Sequence, residues 1–187
     1  MKTSIFNMKS LFLSIGLFLI SFNINSQDVK LSRQEQKEAK RDKQYFNFQV
    51  LDTILENKSF VLEADFLENQ YGMRSPVLSD VNFIKVDSTN AVLQTGTSLN
   101  MGSNGVGGAT AEGRMSNLKI VKNVKNMSFL LRFTMVSDIG IYDVSMTINS
   151  DRAARATITG LSRGELIYVG RIKTINNSGF FKGHNSI

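Results

Sequence analysis

The sequence predicts a mainly β domain, an antiparallel meander curled into a barrel, half-barrel or sandwich and entered by one N-terminal helix. Three observations carry this. From Ser59 onward apolar and polar residues alternate in short runs, the period of a strand with one buried face. Turns bearing Asn, Asp, Ser and Gly separate the runs, which makes neighbouring strands antiparallel. No helical pattern of ten residues lies between them, which argues against a βαβ plan. Eight or so strands rarely stay open and flat, so the sheet should curl and the helix should cover an open face or plug one end. An α+β arrangement and a closed barrel without the helix are the alternatives.

The chain opens on a positive segment with Lys2 and Lys9, followed by the apolar run Leu11 to Ile20 and the polar stretch Ser21 to Ser26. That order is the pattern of a secretory signal peptide over residues 1–26, with Ser26 at the cleavage edge before Gln27. A membrane anchor is the competing reading. Its apolar core would be only half of the ~20 residues a bilayer span requires. Cleavage leaves roughly 160 residues, enough for one domain with a real core. Two of the 22 basic residues depart with the signal and none of the 16 acids, so the remaining balance is only mildly basic. A charge that small is a solubility feature and not a nucleic-acid footprint. There is no cysteine, hence no disulfide framework, no thiolate chemistry and no lipid anchor on a cysteine after the signal. The expected setting is exported, periplasmic or extracellular, with no stable membrane span after cleavage.

Ser32-Arg-Gln-Glu35 has capping-box spacing and marks a helix start. From Gln34 to Gln44 nearly every residue is charged or amide-bearing, which suits a solvated helix or tether over residues 27–44. In the second half Phe46, Val50, Leu51, Ile54 and Leu55 recur at three- and four-residue spacing as one apolar stripe. Residues 45–56 should therefore pack on a single β-rich domain spanning 45–175, with Asn57 as the stop. A helix lying on a lipid surface is a weaker alternative, because it carries acids as well as bases.

The strands follow in order. Phe60, Leu62, Ala64 and Phe66 share one face of the first, with Glu63 and Asp65 on the other. Val81 to Val86 and Ala91 to Thr95 form a hairpin around Asp87-Ser-Thr-Asn90. Asn117 to Val124 and Ser128 to Val136 come next. Tyr142 to Ile148 alternates cleanly, Ala154 to Thr159 does so again, and Glu165 to Ile175 closes the series. Residues 176–187 read as a flexible tail.

Between the third and fourth runs lies Asn100 to Gly113, with glycine at 102, 105, 107, 108 and 113. Glycine-rich loops can present amides to phosphate. This one lacks the Gly-Lys-Ser/Thr of a P-loop and the strand–turn–helix context of a dinucleotide site. It reads as a strand connection with positive-φ turns or a bulge.

Four segments taken in order, Phe60 to Asp65, Asn82 to Asp87, Gly105 to Gly113 and Tyr142 to Asp151, resemble the domain-of-unknown-function family 4251 of secreted and lipid-anchored proteins from Bacteroidota. The similarity runs from the charged helix to about Ile175. It implies an envelope or extracellular setting and no particular chemistry. The resemblance implies, as a general expectation for exported proteins of such bacteria, O-glycans at short sequons of Asp, then Ser or Thr, then an apolar residue or Thr. Asp87-Ser-Thr89 fits at an expected hairpin tip, which makes Ser88 the candidate acceptor. Asp52-Thr-Ile54 also fits, but falls in the packed half of the helix, where Thr53 should be inaccessible.

Candidate chemistry is sparse. Nucleophilic triads mostly need a histidine base, and the one histidine, His184, sits in a Gly/Asn-rich tail. No spacing of His, Cys or acids suggests a metal. Glu63, Asp65 and Asp143 are the carboxylates a glycoside hydrolase could use if opposed across a cleft. On solvated strand faces such acids usually serve solubility, so no catalytic, cofactor-binding or metal residue is expected. The sequence favours a non-catalytic binding or assembly module whose partner is an envelope protein or an apolar ligand. A barrel-type carrier of a small apolar ligand is the alternative, and a carboxylate-based hydrolase a remote one. With 13 Phe, 8 Met and no Trp, sugar stacking is disfavoured. The intact mass of exported protein should match a chain beginning near Gln27, with added mass on the Ser88 peptide from the native host. Full-length mass in a membrane fraction would refute the signal, and an unmodified Ser88 peptide the sequon.

Overall fold

The computed structural model describes residues 32–97, 106–160 and 164–186. The expected signal peptide lies outside the described residues, as do residues 98–105 of the glycine-rich segment. Among the described residues the order is helix α1 (Arg33–Glu56), then strands β1 (Ser59–Asn69), β2 (Arg74–Pro76), β3 (Phe83–Asp87), β4 (Asn90–Thr95), β5 (Ala109–Asn123), β6 (Ser128–Ser137), β7 (Gly140–Asn149), β8 (Ala153–Thr159) and β9 (Leu166–Thr174), with a 3-10 turn at Ile175–Asn177.

All strand pairs are antiparallel, and neighbours follow chain order from β3 to β9. β1 pairs with β3 through Ser59–Glu63 and with β9 along its length, from Phe60↔Thr174 to Asn69↔Leu166. That second pairing closes an eight-stranded barrel. β2 stands outside the ring and pairs only with Phe66–Glu68 of β1. An interior of eight strands is just wide enough for side chains to fill. Phe60, Leu62, Ile84, Leu131, Met135, Met146 and Ile172 fill it here.

The β1 alternation holds as far as Ala64. A register shift between Ala64 and Phe66 then inserts one residue, and a bulge of that kind turns the following side chains over. Leu67 therefore packs on the core. Phe66, expected inside, lies outside beneath the Arg74 guanidinium, 4.9 Å from the ring centre. Across from the bulge stands Gly170, where a Cβ would lie 1.9 Å from the Glu63 carbonyl oxygen. Only glycine admits the two backbones so close.

The N-terminal unit contributes the described start of α1. There the capping box forms as read: Ser32 N–H donates to Glu35 Oε2 at 2.7 Å, and Glu35 N–H to Ser32 Oγ at 3.2 Å. In the second unit the helix presents Phe48, Leu51, Ile54 and Leu55 to the core. Phe48 stacks on Phe129 with ring centres 4.7 Å apart, and Lys122 pairs with Asp52 while its ammonium lies over the Phe48 ring. The contact with Phe129 at the start of β6 sets this face over one end of the barrel. The stripe differs from expectation at one place: Phe46 is 62% exposed. It sits five residues before Leu51, well off the buried face at 3.6 residues per turn, whereas Phe48 is three residues away and on it. Thr53, expected to be inaccessible, is exposed on the opposite side of α1 from Leu51.

Residues 176–186, read as a flexible tail, run along the outside of the barrel. Phe180 packs on Phe83 with centres 5.0 Å apart, and with Ile175 it covers Val61, Phe83 and Val92, which form a second small core. Phe181 N–H donates to the Asp80 carbonyl at 2.7 Å, and Ser186 N–H to that of Thr110 at 2.9 Å. The outer faces of β1, β3 and β4 are thus covered, which the alternating pattern did not foretell.

Two substitutions separate the helix faces. Phe48→Ala removes a buried ring and should cost roughly 3–5 kcal/mol, lowering the melting temperature by about 10 °C. Phe46→Ala should stay within ~0.5 kcal/mol. Thermal unfolding of both variants checks this.

Candidate functional site

The helix covers the barrel end where β1 and β6 begin. At the other end β4 and β8 finish and β5, β7 and β9 start, and there the described residues leave part of the interior unfilled. A cavity of about 80 Å³ remains, lined by Leu93, Thr95, Ala109, Ala111, Ile139, Tyr142, Ile158, Leu166 and Tyr168. Its walls come from β4, β5, β7, β8 and β9. Small residues on β5 leave the space: the run Ala109-Thr-Ala-Glu-Gly113 places Ala111 and Gly113 at successive inward positions. At Gly113 a Cβ would lie 2.1 Å from the Val136 carbonyl oxygen. Part of the glycine-rich segment is therefore strand, pairing with β4 from Thr95↔Ala109 to Asn90↔Arg114. No sequence period betrayed it, because alanine and glycine carry little hydropathy signal.

Two phenols border this cup. Tyr168 is fully buried and donates to the Gln94 carbonyl at 2.9 Å. Burial pushes its pKa far above the usual phenol range, so it stays a neutral donor and no base. Tyr142 reaches the Ile139 carbonyl at a weak 3.4 Å. The cup offers apolar walls and very few polar atoms, which suits the end of an aliphatic group or one small ring. Among the described residues no cluster of His, Cys, Asp or Glu could hold a metal.

On the outer surface, buried polar groups seat the C-terminal segment. Gln94 is buried and uses both ends of its amide: Nε2 donates to the Phe181 carbonyl at 2.8 Å, while Oε1 accepts from Gly183 N–H at 2.8 Å and Thr110 Oγ1 at 3.0 Å. Glu63, one of the hydrolase candidates, belongs to the same seat. It pairs with Lys173 at 2.6 Å and accepts from the Ser178 hydroxyl and, at 2.8 Å, from Gly179 N–H. Burial acts to raise its pKa. The bonds from Lys173, Ser178 and Gly179 outweigh that and hold the carboxyl below its ordinary value.

The remaining candidates do not converge on a cleft. Asp65 is exposed on β1, and Asp143 on β7 accepts from the Thr134 hydroxyl at 2.6 Å, with β8 and β9 between those strands. His184 is exposed in the seated tail. Ser88 lies exposed at the β3–β4 turn with φ 58°, and its N–H donates to the Lys58 carbonyl at 2.8 Å. Sequence reasoning missed Gln94, Thr110 and Glu68. Glu68 is buried between Arg74 at 2.6 Å and Arg155 at 2.5 Å. Burial works against its ionisation, and the two guanidiniums prevail, lowering its pKa.

A closed antiparallel barrel covered at one end by a helix, with a small apolar mouth at the other, defines the class of this protein by architecture. The family described as "Domain of unknown function (DUF4251)" matches residues 40–172, and the chain belongs to that family. Among solved structures it is similar to the crystal structure of a DUF4251 family protein from Bacteroides eggerthii, with 25% sequence identity and a TM-score of 0.59, over 71% of this chain and 91% of that one. No curated protein matches.

The Glu63 contacts set a pH dependence. A carboxyl whose pKa is depressed on folding contributes stability above its unfolded value, and that contribution is lost as pH falls through the folded one. Wild-type stability should therefore decline below about pH 4.5, the ordinary glutamate value. Glu63→Gln should lower stability at neutral pH and flatten that acid limb. Urea unfolding from neutral to acid pH measures both.

Proposed function

We propose that this protein is an exported envelope module, periplasmic or extracellular, that acts by binding and not by catalysis. Its ligand inserts a short apolar group into the mouth of the barrel. The observation that carries this is the cup at the end opposite the helix, where five strands surround apolar space that the described residues leave unfilled. Unfilled apolar space sacrifices packing contacts, and an inserted alkyl or ring group restores them. Family membership and the Bacteroides neighbour support the envelope setting, as does the charge–apolar–small order of residues 1–26.

Size separates this from the carrier reading. Sites that enclose a whole drug-sized ligand run to roughly 300–1,000 Å³, several times the volume here. The barrel is thus suited to grip one end of a ligand whose remainder stays outside. A hydrolase reading has less behind it: Glu63 is consumed in seating the tail, while Asp65 and Asp143 stand on separate strands.

Amide chemical shifts in a titration with a neutral aliphatic alcohol test the proposal. Shifts should concentrate on Ala111, Tyr142, Ile158 and Tyr168. Leu166 packs partly on the core, so Leu166→Glu should lower the melting temperature somewhat and abolish these shifts, while the amide spectrum of the helix end stays that of the folded wild type. Shifts spread over the helix end, or unaltered by Leu166→Glu, would overturn it. Native mass spectrometry of purified protein should show short-chain adducts released by the same variant.

A further inference from the structure

We propose that the outer face of β5, β6 and β7 docks the protein on an anionic lipid surface. Between Glu112 and Asp138 the chain carries Arg114, Lys119, Lys122, Lys125 and Arg132 and no acid. Lys122 is engaged with Asp52. The other four make no ion pair among the described residues. Lys119 stands directly opposite Arg132 across the β5–β6 pair, and like charges so placed destabilise a sheet. Asp143, the acid on the adjoining rung of β7, is already bonded to Thr134. The two cations are left facing solvent together, and an anion above them would remove their repulsion.

The surroundings favour a bilayer over a small anion. Arg114, Val136 and Ile141 occupy one rung of the same face, with Val136 and Ile141 more than half exposed, and Val121 is exposed nearer the hairpin tip. From Arg114 to Val121 the face extends roughly 20 Å, and three strands make it about 10 Å wide. Cations interleaved with exposed aliphatic groups over such an area match a headgroup layer. The cations take phosphates, and the valines and isoleucine reach the acyl boundary. This rests on the exported setting proposed above, where membrane surfaces are at hand, and is independent of the barrel mouth.

Co-sedimentation of the purified protein with phosphatidylcholine vesicles, with and without phosphatidylglycerol, tests the proposal. Pelleting should require phosphatidylglycerol and fall steeply with added salt. Lys119→Glu should lower partitioning by more than about tenfold, each cation near such a surface contributing about fivefold. Because the substitution sets a carboxylate opposite Arg132, the same variant should melt at or above the wild-type temperature, which loss of a merely structural lysine would not produce. Val121→Ser with Ile141→Ser should weaken binding several-fold. Leu166→Glu at the mouth should leave it unchanged, so failure here and failure of the mouth reading stay distinct. Equal pelleting with uncharged vesicles, no pelleting with anionic ones, unchanged partitioning of Lys119→Glu, or equal competition by soluble glycerol phosphate would each overturn the proposal.

Discussion

The pairing of β1 with β9 joins the two ends of the sheet, and most other features follow from it. Were that seam open, both strands would present unsatisfied backbone edges, and the inward rows of Phe, Leu, Ile and Met would lie on an open surface. Closing it demands close approach at one point. The chain meets that demand with the bulge after Ala64 and with Gly170, which leaves the Glu63 carbonyl room where any side chain would collide with it. The bulge then reverses the phase of β1. That reversal sends Leu67 inward and Phe66 outward, and sets Glu68 between two arginines.

Closure leaves two ends to be dealt with, and the chain treats them differently. One is covered by α1, whose Phe48 stacks on Phe129 and whose Asp52 holds Lys122. The other keeps an apolar cup. Here the inner face of β5 carries alanine and glycine, so the described side chains pack less densely. The helix contacts and the proposed binding mouth thus lie at opposite ends of one core, and a change at the mouth need not disturb the helix.

The C-terminal segment adds a layer that an isolated sheet would not have. Val61, Phe83 and Val92 point outward and would be exposed without Phe180 and Ile175. Gln94, Glu63 and Thr110 supply directional bonds that fix the segment in register across β1, β4 and β5. Among the described residues, nothing covers the polar side of the barrel across β5, β6 and β7 in this way. It bears instead Arg114, Lys119 and Arg132, which make no ion pair among the described residues.

By itself the sequence determined what depends on neighbours along the chain. The capping box at Ser32 and Glu35, the period of Leu51, Ile54 and Leu55, and the alternation in β6 to β8 are local patterns, and each was legible because its physical cause spans a few residues. Antiparallel order followed from the short turns. The family was legible from four spaced segments. Tertiary structure alone decided the seam between β1 and β9, since strands at opposite ends of the domain leave no local mark of pairing. It likewise decided the phase of Phe66, because one inserted residue is invisible to a period-two pattern until the partner strand sets the register. It decided the strand character of Ala109 to Gly113, where small side chains carry no periodicity. It decided the seating of residues 176–186 and the opposition of Lys119 to Arg132, which are facts about which surfaces meet and not about which residues follow one another.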